Sequence, residues 1–316
     1  MVKRRHLTWE EALSAAEALQ VALLDGISRA RRWGRAELVF QGGTSLHLAY
    51  GSPRASEDLD FIVTSDKGLN AVMNSALTHT KAYVRQAMGS EAELEIKARA
   101  VDPETGENKN PRIYRVSFRA PAFLESVKVK VEFWVADPNA AASYDSEVRI
   151  ARLSQEAQMR RPIRLAISQA IIPTAQLSEI YADKIHAIAG REYLKHRDVF
   201  DLWWLDQQGA TLQGDALRTA LRNRRDLYPR GPQIERDWAN RLRVRATEIV
   251  EPTTLAIFSK DLSRWLALGG QSNLSAPEHT RRIAERAAAR VLDAADLVDP
   301  AGKMTPDSAT LGGEPP

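Results

Sequence analysis

Residues 40–61 read FQGGTSLHLAYGSPRASEDLDF, a glycine-rich turn joined to two aspartates that flank one apolar residue. Leu38, Val39 and Phe40 form a short apolar run before Gly42 and Gly43, and Thr44, Ser45 and Leu46 follow. That order predicts strand, tight turn and helix start. Backbone N–H groups at such a turn can cradle a phosphate, aided by the helix dipole and by the Thr44 and Ser45 hydroxyls. Asp58 and Asp60 lead into Phe61, Ile62 and Val63, which predicts a strand. Side chains at i and i+2 of a strand share a face, so the two carboxylates project together from Cα atoms about 6 to 7 Å apart. Two hard oxygen ligands on one face suit Mg²⁺, which takes one or two protein carboxylates and completes its shell with water and phosphate. Alone, a Gly-Gly-Thr turn is a common turn and an Asp-Leu-Asp a common strand edge or cap. The two in this order point to a magnesium-nucleotide site.

GGTSL, then Tyr50, then RASEDLDF resembles the signature of the nucleotidyltransferase superfamily, and within it the AbiEii-type toxins of bacterial toxin–antitoxin pairs. Fourteen residues, Thr44 to Glu57, separate Gly43 from Asp58. This is longer than the superfamily at large and is similar to the AbiEii-like branch, where an Arg-x-Ser-Glu-Asp string fills the gap.

A second block, LSEIYADKIHAIAGREYLKHRDVFDLWWL from Leu177, resembles the later motifs of that family: a lysine on a helix, an arginine seven residues on, then Arg-Asp-x-x-Asp-Leu. At 100° per residue Ile180, Tyr181, Ile185 and Ile188 make one apolar arc, with Lys184 and Arg191 inside it. Such cations either snorkel past apolar surface to water or face a cleft where they meet triphosphate oxygens. On the next helix Asp198 shares a face with Asp201, Leu202 and Leu205. It reads either as a functional acid or as a helix N-terminal acid and partner of Arg197 or Arg191.

The chain has 316 residues, 44% of them hydrophobic, enough for one large domain or two modest ones. The absence of cysteine excludes a disulfide framework, a thiolate metal site and a cysteine nucleophile. No apolar run approaches a membrane span, and MVKRRHLTWEEA starts basic without a following apolar region. The expectation is a cytoplasmic protein with no membrane partner. Forty-four basic against 41 acidic residues give a net charge of +3, which permits an RNA partner without demanding one. Three basic clusters, Arg160, Arg161 and Arg164, then Arg218, Arg222, Arg224 and Arg225, then Arg241, Arg243 and Arg245, read as solvated helix faces or, along one rim, as a footprint for a phosphate backbone.

Thr8 and Glu11 signal a capping box for a helix to about residue 32. Strands are expected near 38–40 and 58–63, a helix over 68–88, and strands over 91–101, 112–119 and 126–135, the first two of these joined by the polar loop DPETGENKNP. In VKVKVEFW, Val127, Val129, Val131 and Phe133 share one face and Lys128, Lys130, Glu132 and Trp134 the other. Glu132 is a candidate third carboxylate, binding metal or taking a proton, against the alternative of a wet face of mixed charge. Residues 162–168 suggest one more strand before Pro173 breaks the chain. Helices are then expected over 174–195, 197–208, 213–224, 233–249, 253–268 and 277–297. The predicted architecture is an α/β, mixed-sheet nucleotidyltransferase-type domain over 1–172, a helical domain over 173–298 and a disordered tail over 299–316, with the cleft between the domains.

The resemblance implies Mg-assisted transfer of a nucleoside monophosphate from an NTP to RNA, at the tRNA 3′ acceptor end, with a cognate antitoxin as partner. Asp58 and Asp60 would hold metal, and Gly42, Gly43, Thr44, Ser45 and Lys184 the triphosphate. Arg54 and Ser56 would steady the loop or touch phosphate, Arg191 would meet phosphate, and Asp198 would orient Lys184 or act as base. A small-molecule or protein acceptor, or a non-catalytic nucleotide-binding module, is the alternative.

Overall fold

Alternation along the central strands sorts the sheet into two faces, and each face meets a different set of helices. The computed structural model describes residues 4–34, 37–88, 92–99, 110–163, 169–229, 236–266, 268 and 272–299. Helix α1 (Trp9–Ala30) starts at the expected capping box, Thr8 accepting from the Glu11 N–H and Glu11 from the Thr8 N–H. Then come β1 (Leu38–Gln41), α2 (Gly42–Tyr50), β2 (Asp58–Val63), α3 (Leu69–Met88), β3 (Glu93–Arg99), β4 (Arg112–Arg119) and β5 (Val127–Val135). A short α4 (Pro138–Ala142), β6 (Ser146–Ala151), a short α5 (Gln155–Met159) and β7 (Ala170–Ala175) complete the sheet region. Helices α6 (Leu177–Gly190), α7 (His196–Gln207), α8 (Gly214–Leu227), α9 (Trp238–Val250), α10 (Pro252–Trp265) and α11 (Pro277–Val298) follow.

The seven strands run in the order β3-β4-β5-β2-β1-β7-β6, with β2 parallel to β5, β1 parallel to β7 and the remaining neighbours antiparallel. This is the mixed α/β sheet that the sequence predicts. Phe40, Phe61 and Phe133 stack across three strands, at 5.4 and 5.1 Å between successive rings, in a core that also buries the apolar residues of α1 and α3. On the opposite face Val39, Ile62 and Ala175 join one continuous core with α6, α7, α8, α9 and α11. Asp58, Asp60 and Ile62 alternate onto that second face, so the paired carboxylates point toward the helical half.

Two expectations change. Pro173 does not break the chain: it lies within β7, opposite Val148 of β6. A strand tolerates proline where its missing N–H is not called on by a partner. The strand itself therefore crosses residue 172, and β6, whose SEVRIA alternates as a strand should, was not anticipated. Residues 164–168 of the expected extra strand, most of the loop after β3 and the tail from residue 300 lie outside the described residues.

Candidate active site

The two glycines of the turn each have a steric reason. Gly42 has φ +77°, the left-handed region that disfavours any side chain, and a Cβ there would stand 2.6 Å from Asp60 Oδ2. A Cβ on Gly43 would run into the Arg54 guanidinium and stand 3.0 Å from Ser56 Oγ. No separate turn intervenes: α2 starts at Gly42 directly after β1, and no side chain caps its N-terminus. The Thr44 and Ser45 hydroxyls are buried and directed at backbone, Thr44 donating to the Asp58 carbonyl and Ser45 to the Gly42 carbonyl at 2.8 Å. They brace the start of α2 against the strand that carries Asp58.

Across the parallel β2–β5 pair, Asp58 stands opposite Lys130 and Asp60 opposite Glu132. Lys130 Nζ bridges Asp58 Oδ2 at 3.0 Å and Glu132 Oε1 at 3.1 Å. Burial, reinforced by the charges of Asp58 and Glu132, pushes the Asp60 carboxyl up to about 7. No three acidic or imidazole groups among the described residues are placed to hold an ion by themselves.

Asp60, Glu132, Gly42, Gly43, Lys184 and Arg191 line one cleft of about 430 Å³, whose other wall carries Ile113, Trp134 and Tyr228. Trp134 and Tyr228 meet edge to face at 5.3 Å, and Tyr228 donates to Gln41 Oε1 at 2.8 Å. The resemblance assigned Lys184 to the triphosphate. Its ammonium lies on this cleft and is paired with Asp198 Oδ1 and Asp201 Oδ2, each at 2.7 Å. Arg54, buried, is held by Asp201 through two parallel hydrogen bonds of 2.7 and 2.8 Å, and so steadies its loop rather than reaching phosphate. Ser56 is buried beside Gly43, its carbonyl accepting from Gln20 at 2.8 Å. Burial alone would raise Asp198, but Lys184 and Arg191 hold it well below the usual carboxylate range. Burial likewise opposes Asp201, which Arg54 and Lys184 hold low. Helix α6 ends at Gly190, so Arg191 sits on extended backbone just past it, paired with Asp198.

Sequence reasoning missed Lys130, Asp201 and the Trp134–Tyr228 wall as site residues. Lys130 carried a usable signal, since it alternates onto the Glu132 face. Tyr228 carried none. Lys195 and Arg197 also converge here: burial together with Arg191 and Arg197 holds the Lys195 ammonium below its ordinary range, while Arg197 pairs with Glu57 at 2.8 Å. The basic clusters divide: Arg160, Arg218 and Arg222 are exposed as expected of solvated faces, whereas other members are taken up by partners. Arg161 is buried on Glu17, Arg224 is buried against Glu179 and Asp183, Arg243 meets Asp296 and Asp299, and Arg241 and Arg245 bind backbone carbonyls. Arg164 lies outside the described residues. No helix among the described residues is long and apolar enough to cross a membrane.

The family model for the AbiEii nucleotidyl transferase toxin of type IV toxin–antitoxin systems matches residues 28–286. Among solved structures, JHP933 from Helicobacter pylori is similar at 17% identity and TM-score 0.48, covering 92% of this chain and 96% of its own. MenT4, a nucleotidyltransferase toxin from Mycobacterium tuberculosis H37Rv, is similar at 21% identity and TM-score 0.46, covering 90% of this chain and 99% of its own. A comparison with curated protein sequences finds no match.

Proposed function

The chain belongs to the AbiEii family of nucleotidyltransferase toxins of type IV toxin–antitoxin systems, and on that footing we propose that it transfers a nucleoside monophosphate from an NTP to the 3′ acceptor end of tRNA. The observation that carries this reading is the register of β2 and β5, which sets Asp58, Asp60 and Glu132 on one face beside the uncapped N-terminus of α2. The donor set fits Mg²⁺: Asp58 and Asp60 would hold it, and when bound it would supply charge neutralisation of the phosphates. The family implies an antitoxin as the protein partner.

In the cleft, the first-turn N–H groups of α2 receive the triphosphate, and Arg191, Lys195 and Arg197 form its cationic rim. The Trp134–Tyr228 wall takes the base, a flat apolar group that aromatic edges and faces accept. A hydroxyl oxygen of the acceptor then bonds to the α-phosphorus as the bond to the bridging oxygen breaks. The hydroxyl proton passes to the Glu132 carboxylate and the pair of electrons leaves with pyrophosphate. Asp198 is unsuited to that proton, because a base works best near the operating pH and Lys184 and Arg191 hold this one far below it. Asp198 and Asp201 instead orient Lys184. With β2 and β5 contributing the carboxylates and α6 Lys184, we propose that the cleft lies between the sheet and the helices that follow β7.

The test is transfer of ³²P from each α-labelled NTP, with Mg²⁺, to total tRNA. Label that appears on tRNA with at least one NTP supports the reading. Label confined to protein or small molecules moves the acceptor out of RNA.

A further inference from the structure

We propose that Lys130 is a resident cation of the carboxylate site, standing where a second divalent ion would otherwise bind, so that the site accepts one such ion. This rests on the reading of Asp58 and Asp60 as metal ligands.

Four side chains share one face of two parallel strands. Asp58 and Lys130 form one rung and Asp60 and Glu132 the next. The Lys130 ammonium touches Asp58 in its own rung and Glu132 in the other, at 3.0 and 3.1 Å. A charge bridging oxygens of two carboxylates is what a metal ion supplies in a paired-ion site, but here the cation is tethered to β5. With all three carboxylates ionised, as a bound cation would require, the one ammonium that touches them leaves two negative charges, the complement of one divalent ion. Lys184 does not alter this local balance, since Asp198 and Asp201 hold it, and Arg197 is paired with Glu57, while Lys195 belongs to the rim assigned to the triphosphate. Lys130 would therefore order Asp58 and Glu132 before any substrate arrives, and would repel a second ion from their oxygens.

Mn²⁺ binding to the full chain without nucleotide, counted by electron paramagnetic resonance of the free ion, tests this. Loss of one positive charge about 4 Å from a divalent ion is expected to tighten binding at least tenfold in Lys130→Met. Lys130→Arg keeps the charge and Lys128→Met removes a neighbouring exposed one; both should stay within about threefold of wild type. Mn²⁺ affinity in Lys130→Met equal to or weaker than wild type overturns the proposal. Transfer activity is read separately on the same wild-type preparation. Its absence would overturn the proposed function, while the Mn²⁺ comparison alone decides the part of Lys130.

Discussion

Arg54 and Asp201 meet across 147 residues of sequence in a two-pronged ion pair, Nε to Oδ1 at 2.7 Å and Nη2 to Oδ2 at 2.8 Å, with both side chains almost wholly buried. One belongs to the loop before β2 and the other to α7, so the pair clamps the carboxylate strand to the helical half.

Breaking this clamp from one side strands a buried charge. Asp201→Asn leaves Arg54 and Lys184 short of a partner and is expected to cost about 3 to 5 kcal/mol in urea unfolding. Replacing both partners, Arg54→Met with Asp201→Leu, is expected to cost less than the two single changes added together, because no charge is then left unpaired. A loss under about 1 kcal/mol in Asp201→Asn would contradict this account of the clamp.

Glycine at 42 serves the site, whereas glycine at 51 serves the helix end. Both have positive φ, but a Cβ at Gly42 meets Asp60 and one at Gly51 meets nothing within 4 Å. Gly51→Ala should cost about 1 kcal/mol and leave transfer activity unchanged. Gly42→Ala should lower kcat about a hundredfold or more, roughly the loss of 3 kcal/mol of transition-state positioning. Equal activity in the two variants would refute the distinction.

Tyr228 separates packing from polarity at the base wall. Tyr228→Phe keeps the ring against Trp134 and loses the bond to Gln41, and KM for the NTP should rise no more than about threefold. Tyr228→Ala removes the ring, and KM should rise about tenfold with kcat less affected. A base bound elsewhere would leave KM unmoved in both.

Acid should erode the α6–α7 cluster in a defined direction. Asp198 and Asp201 are held below their ordinary carboxylate values, so their stabilisation is present above about pH 4 and is lost as pH falls through the depressed values. Lys184 is raised, burial opposing and Asp198 and Asp201 prevailing, so its share is intact at neutral pH and is lost only in strong alkali. The stability gap between wild type and Asp198→Asn should accordingly be flat from about pH 5 to 9 and shrink below about pH 4. A gap that widens on acidification would reverse the sign.

Local chemistry made the carboxylate half of the site legible in the sequence. Asp58 to Val63 alternate as a strand must, the two glycines open a helix, and Val127 to Trp134 sort into the faces observed. The long-range half was not legible in the same way. Lys184 sits on the expected face of α6, but nothing local says that its charge is taken up by Asp198 and Asp201 rather than by substrate. Arg54 looks like a loop arginine until Asp201 arrives from α7. Pro173 reads as a breaker because proline lacks an N–H, and only the pairing with β6 shows it inside a strand. The burial of Arg161 and Arg224 within clusters that read as solvated was not legible, because composition carries no trace of Glu17 or Asp183 as their partners.

The most direct test of the central claim is transfer of ³²P from an α-labelled NTP by wild type, Asp58→Asn and Asp60→Asn, each confirmed folded by its urea transition. The account predicts label on an acceptor with wild type and a loss of about a thousandfold or more in each variant. Transfer by either folded variant at a rate near wild type would contradict it, and would remove the paired aspartates from the chemistry.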